Sequence, residues 1–108
     1  MYACYLQHEG LSVREARTPA AALKAIRGFR PDVVVTDYVF PGTSVDGPAF
    51  IRRIRDHSEL PRPAIIVVSG FTRPEDAQRA RAAGADVYLL KPCLPEDLLA
   101  HIARRHET

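Results

Sequence analysis

An acid, a hydroxyl and an ammonium stand at the ends of three apolar runs in this 108-residue chain. Asp37 follows Val33-Val34-Val35-Thr36, Ser69 closes the run that begins at Ala64, and Lys91 comes just past the run 86–90. A carboxylate can act as a nucleophile toward phosphorus. Phosphoryl transfer asks little covalent chemistry of a protein, but it needs in-line positioning and charge for the three equatorial oxygens. Lys91 could meet one of those oxygens and the Ser69 hydroxyl another. A divalent cation would cover the third, and Mg²⁺ prefers carboxylates and waters in an octahedral arrangement. Pro92 follows Lys91, where a cis peptide bond would turn the chain and aim the ammonium inward. The plain alternative is that each residue is a polar strand terminus reaching water. One such residue would fit that reading; three of three, with complementary chemistry, favour a site.

The elements that must carry these residues alternate. Residues 11–16 (LSVREA) read as a short, half-polar edge strand. Residues 18–29 read as a helix, with Thr18 as N-cap, Pro19 at the first helical position and Gly28 near the stop. The strand 32–37 comes next, then a loop with Pro41, Gly42 and Gly47. An amphipathic helix over 49–57 presents Phe50, Ile51 and Ile54 on one face and arginines on the other. Pro61 and Pro63 precede a fully apolar strand at 64–69. Thr72 and Glu75 form a capping box for a helix reaching about Ala83, whose inner face is mostly alanine, and Gly84 stops it. A third buried strand at 86–90 leads to a closing helix at 95–106, with Leu98, Leu99 and Ile102 inside. Strands alternating with helices of this length demand a parallel sheet covered on both faces. In such a sheet ligands bind beyond the carboxyl ends of the strands, where Asp37, Ser69 and Lys91 fall.

Composition sets the bounds. The length suits one domain, 1–108, and the apolar share of 46% and charged share of 26% are ordinary for a soluble one. A net charge of +2 is too small to argue for nucleic acid or membrane. No apolar run is long enough for a membrane span, and nothing at the start suggests export, so a cytoplasmic setting is expected. Cys4 and Cys93 cannot frame a disulfide-rich fold. Cys4 and His8 could share a helix face, but without further ligands they read as an aliphatic-like Cys beside a surface His.

The stretches VVVTDYVFPGTSVDG, AIIVVSG and GADVYLLKPCLPEDLL resemble the receiver domain of two-component response regulators. The resemblance covers almost the whole chain. It implies a doubly wound, flavodoxin-like α/β fold with a parallel sheet in the order 2-1-3-4-5. It also implies Asp37 as phosphoacceptor, Ser69 as switch hydroxyl, Lys91 as the family's lysine and Tyr88 as switch aromatic. Mg²⁺ would be held by Asp37 and the backbone carbonyl of Val39. The partners implied are a histidine kinase or phosphotransfer protein upstream and a protein partner downstream, with no nucleic acid or membrane contact through this domain.

Three departures stand out. The family's first strand, with the acid pair that completes the Mg²⁺ site, has no counterpart before MYACYLQHEG, so the first strand is expected to be missing and the metal site incomplete. Strands sit ~4.8 Å apart, so an absent inner strand leaves a gap of ~10 Å. Residues 11–16 would then either slide over to pair with 33–36 or leave open edges. The simplest expectation is that about 15 to 25 residues, an apolar strand followed by two acids, are encoded ahead of Met1. The loop after Asp37 is also longer than the family's usual form, and Cys93 stands where Phe is common.

The leading reading is therefore a phosphoacceptor switch that assists its own phosphoryl transfer without being an enzyme. The alternative is a pseudo-receiver, an interaction module that takes no phosphate because the metal-binding acids are absent. A cofactor-binding doubly wound domain has no glycine-rich phosphate motif to support it. The arginines at 52, 53, 55, 73, 79, 81, 104 and 105 spread over several helices as solvated faces rather than a nucleic-acid stripe.

Overall fold

The computed structural model describes residues 2–40, 42–56 and 62–106. Pro41, His57 and Pro61 lie outside them. Helices and strands alternate in the order α1 (Tyr2–His8), α2 (Pro19–Phe29), β1 (Val33–Thr36), α3 (Gly47–Asp56), β2 (Ala64–Ser69), α4 (Pro74–Ala83), β3 (Val87–Leu90) and α5 (Pro95–His106). The strands form one parallel sheet in the order β1-β2-β3, with Val35 opposite Ile66 and Ser69 opposite Leu90.

Strand β2 is the spine because its side chains are apolar in both directions. Ile65 and Val67 face a cluster with Ile26 of α2, Phe50, Ile51 and Ile54 of α3, and Ala80 and Ala83 of α4. Ile66 and Val68 face the opposite cluster, with Leu6 of α1 and Leu98 and Ile102 of α5. The period of two along a strand makes this division, and it yields the expected doubly wound layering.

Several boundaries differ from expectation. Thr18 caps α2 as anticipated, its Oγ1 accepting from the Ala21 N–H at 3.1 Å. The helix ends at Phe29, as expected, one residue past Gly28, and its C-cap is Arg30, which takes the left-handed conformation at φ 56°. Pro31 cannot continue a helix, and it places the stop there. The expected capping box at Thr72 is not formed. Pro74 occupies the first turn and holds the preceding residue extended, so Arg73 becomes the cap and α4 starts later. Asp76 is buried at the start of α4 and accepts from the Arg73 side chain at 3.2 Å.

Arg55, expected on a solvated face, is instead a partly buried clamp. It donates to the carbonyls of Gly84 and Pro63 and to the Asp86 carboxylate, and Asp86 in turn accepts from the Ile65 N–H at 2.8 Å. Strand β3 is half-buried rather than buried, since it is the outer strand of the sheet.

Residues 11–16 form no strand. Leu11 and Val13 pack onto the cluster around Ile66 and Leu98, which anchors the segment away from β1. Between them and β1 lies an open groove of about 980 Å³, lined by Leu6, Val13, Ile26, Val33, Leu98 and Ile102 among others. Among the described residues β1 pairs only with β2, so its other edge stays open instead of recruiting 11–16.

Candidate functional site

Asp37 is the first residue past β1, Ser69 the last of β2 and Lys91 the first past β3. The parallel register delivers all three to one edge of the sheet. Lys91 Nζ lies 2.6 Å from Asp37 Oδ1, and the two side chains are 46% and 49% exposed, so the pair remains open to an incoming partner. The Lys91 N–H donates to the Ser69 carbonyl at 2.8 Å, extending the β2–β3 ladder by one residue. Ser69 is buried, and its Oγ accepts from the Phe71 N–H at 2.9 Å. The hydroxyl thus fixes the turn after β2. The Lys91–Pro92 peptide bond is cis.

An aromatic cluster backs this edge. Tyr88 donates its hydroxyl to the Phe71 carbonyl at 2.9 Å. The Tyr38 ring meets Phe71 edge-on at 5.1 Å and Tyr88 edge-on at 6.2 Å. Tyr38 is buried directly beside Asp37, and its hydroxyl has no hydrogen-bond partner among the described residues. Burial pushes its pKa up, with Arg79 pulling the other way. Val39 is exposed and lines the groove beside Asp37.

The long loop after Asp37 is folded back onto the site. Thr43 Oγ1 accepts from the Val45 N–H, and Asp46 caps α3 by accepting from Ala49 at 3.0 Å while pairing with Arg79 of α4 at 3.3 Å. Gly47 then donates its N–H to the Tyr38 carbonyl at 2.5 Å. A Cβ at position 47 would stand 2.9 Å from Tyr38 Cα and 3.1 Å from the Asp37 carbonyl oxygen, so only glycine permits this approach.

Among the described residues no group of three His, Cys, Asp or Glu side chains could hold a metal ion. Asp37 brings one carboxylate, already paired with Lys91, and the described residues do not amount to an Mg²⁺ site. Cys4 and His8 are both exposed on α1.

The sequence profile of the response regulator receiver domain matches residues 1–103. The chain belongs to that family. This receiver domain is 35% identical over 97 residues to the transcriptional regulatory protein CseB of Streptomyces avermitilis, covering 90% of the chain and 39% of CseB. It is 33% identical over 96 residues to a gliding motility regulatory protein of Myxococcus xanthus, covering 89% of the chain and 12% of that protein. The chain thus spans less than half the length of these curated relatives. Among solved structures, the receiver domain of NtrX from Brucella abortus superposes with a TM-score of 0.85 at 31% identity, covering 99% of this chain and 88% of that one. The chemotaxis protein CheY4 of Vibrio cholerae gives 0.85 at 31% identity, covering 94% and 83%. The flavodoxin-like fold expected from the sequence is the fold of these neighbours. No helix among the described residues is long and apolar enough to cross a membrane.

The structure brings Asp37 and Lys91 into direct contact, ties Ser69 to Lys91 through the backbone, and sets Tyr88 behind them. Tyr2, Tyr38, Gly47 and Phe71 were not singled out from the sequence as site residues. Gly47 was read as part of the loop after Asp37, whereas nothing in the sequence marked the two tyrosines or Phe71.

Proposed function

We propose that this receiver domain is a phosphoacceptor switch whose Asp37 takes a phosphoryl group from a histidine kinase or phosphotransfer protein. The observation that carries the reading is the 2.6 Å contact of Lys91 Nζ with Asp37 Oδ1 at the open edge of the sheet. A carboxylate oxygen of Asp37 attacks the phosphorus of a phosphoimidazole donor, and the P–N bond breaks. Its electron pair returns to the ring, which leaves as neutral imidazole when its second nitrogen carries a proton. Lys91 then shifts from the carboxylate to a phosphoryl oxygen, and the Ser69 hydroxyl, released from the Phe71 N–H, donates to another. Movement of Ser69 changes what Phe71 and Tyr88 hold, which carries the state of the site to the surface around β3 and α5 and so to a protein partner.

Intact-mass analysis after incubation with a small phosphodonor tests this. The wild type gains one phosphoryl group and Asp37→Asn gains none. Equal uptake by the Asn variant would overturn the assignment.

A second reading, an interaction module that takes no phosphate, is favoured by one observation. Among the described residues no group of three ligating side chains could hold a metal ion, so weak Mg²⁺ binding and slow uptake are expected. No uptake by a folded wild type, with the same partner binding before and after treatment, would establish this second reading.

A further inference from the structure

Lys91 is the group on which the proposed chemistry depends, and the loop that presents it is thinly held. Lys91, Pro92 and Leu94 are exposed, and Cys93 is half-buried. Ahead of the loop, the Lys91 N–H is fixed by the Ser69 carbonyl at 2.8 Å. Behind it, the Leu94 carbonyl accepts from Asp97 and Leu98 as α5 begins. Pro92 has no N–H to contribute. Among the described residues, the Tyr2 hydroxyl of α1 reaches the span between these two anchors from a distant element, donating to the Cys93 carbonyl at 2.8 Å.

That bond joins residues 91 positions apart and lands two residues after Lys91. The Tyr2 ring is held by the cluster around Leu6, Cys93 and Leu98, so the hydroxyl is delivered by packed, oriented support rather than by a free side chain. Burial, followed by Cys93, lifts the Tyr2 pKa, while Lys91 pulls it down and Asp37 adds to the rise, which places the hydroxyl within electrostatic reach of both proposed reacting groups.

We infer that Tyr2 is a positioning residue: its hydroxyl, through the Cys93 carbonyl, sets the loop geometry that points the Lys91 ammonium at Asp37. The inference rests on the phosphoacceptor reading for its significance but not for its test. A backbone carbonyl released two residues from Lys91 lets the loop sample other conformations, and a four-carbon side chain at its base magnifies each of them.

The chain has only two lysines, Lys24 and Lys91, and Lys24 is exposed on α2, so lysine labelled at Nζ with ¹⁵N gives a reporter and an internal reference. In the wild type the Lys91 ammonium is expected to show slower proton exchange and more restricted motion than that of Lys24. Asp37→Asn sets the scale for full release. Tyr2→Phe keeps the ring and removes only the hydroxyl; it is expected to move Lys91 most of the way toward Lys24, with the unfolding midpoint close to wild type. Tyr5→Phe, the same change on the same helix, leaves Lys91 in place. An unaltered Lys91 signal in a folded Tyr2→Phe protein would overturn the inference. So would detachment of α1, read as loss of the protected Leu6 amide, because the hydroxyl would then be a structural clamp alone. No phosphodonor enters the measurement, so failure of Asp37 to take phosphate leaves its outcome intact.

Discussion

Ser69 and Lys91 are joined by a backbone hydrogen bond, Lys91 N–H to Ser69 carbonyl at 2.8 Å, so two of the three proposed site residues hang on the sheet ladder itself. Their side chains are thereby separable from the fold, and deletion of either tests function without dismantling the scaffold.

Lys91→Ala is expected to lose less than about 1 kcal/mol of stability, because the ion pair with Asp37 is half-exposed and screened. Ser69→Ala costs about 1 kcal/mol through the Phe71 N–H left without its acceptor. Both are read by chemical denaturation, and both lower phosphoryl uptake or its effect on partner binding. Loss of folding in Lys91→Ala would mark the lysine as structural.

Gly47→Ala disturbs the site through the backbone. The new Cβ meets Tyr38 backbone atoms at 2.9 Å, and overpacking of this kind costs about 1–3 kcal/mol. Amide shifts at Asp37 and Tyr38 accompany the loss. Gly28→Ala is the control: the helical position has open space, and the substitution stabilises by up to about 1 kcal/mol.

Arg55→Ala removes the clamp at the opposite end of the sheet. It leaves the Gly84 and Pro63 carbonyls without this donor and exposes Asp86 to repacking, at a cost of about 2–3 kcal/mol by denaturation. Arg55→Lys recovers little, since one ammonium cannot span the acceptors that a planar guanidinium reaches.

Tyr38→Phe is expected to hold or gain stability at neutral pH, up to about 1 kcal/mol, since its buried hydroxyl lacks a partner among the described residues. The sign of its pH dependence follows from burial. The folded pKa is raised, so the unfolded chain gives up this proton first. The associated stability is whole below pH 10.0 and is lost as pH rises through the folded value. Melting between neutral and strongly alkaline pH therefore shows a shallower decline in Tyr38→Phe. Tyr2, Tyr5 and Cys93, whose pKa values burial also raises, contribute to the remainder. An identical decline in both proteins would count against a buried, neutral Tyr38.

What the sequence determined by itself was set by short-range chemistry. A run such as Ile65-Ile66-Val67-Val68, β-branched and bounded by Pro63 and Gly70, reads as a strand buried on both faces, and a polar residue at its end falls at the carboxyl end of the sheet. The alternation of such runs with amphipathic segments dictated a parallel, doubly wound sheet, and with it the meeting of Asp37, Ser69 and Lys91. Tertiary structure decided everything that needs a neighbour from a distant element. Residues 11–16 have the composition of an edge strand but form none, because a strand exists only where another lies one ladder spacing away, and Leu11 and Val13 are anchored elsewhere. Arg55 reads as one more exposed arginine until the α4–β3 turn and the start of β2 present carbonyls to it. Nothing in the sequence marks Tyr2, and its hydroxyl meets the Cys93 carbonyl only because α1 packs against α5. A side chain's type is local, whereas its hydrogen-bond partners are supplied by the packing of the whole chain.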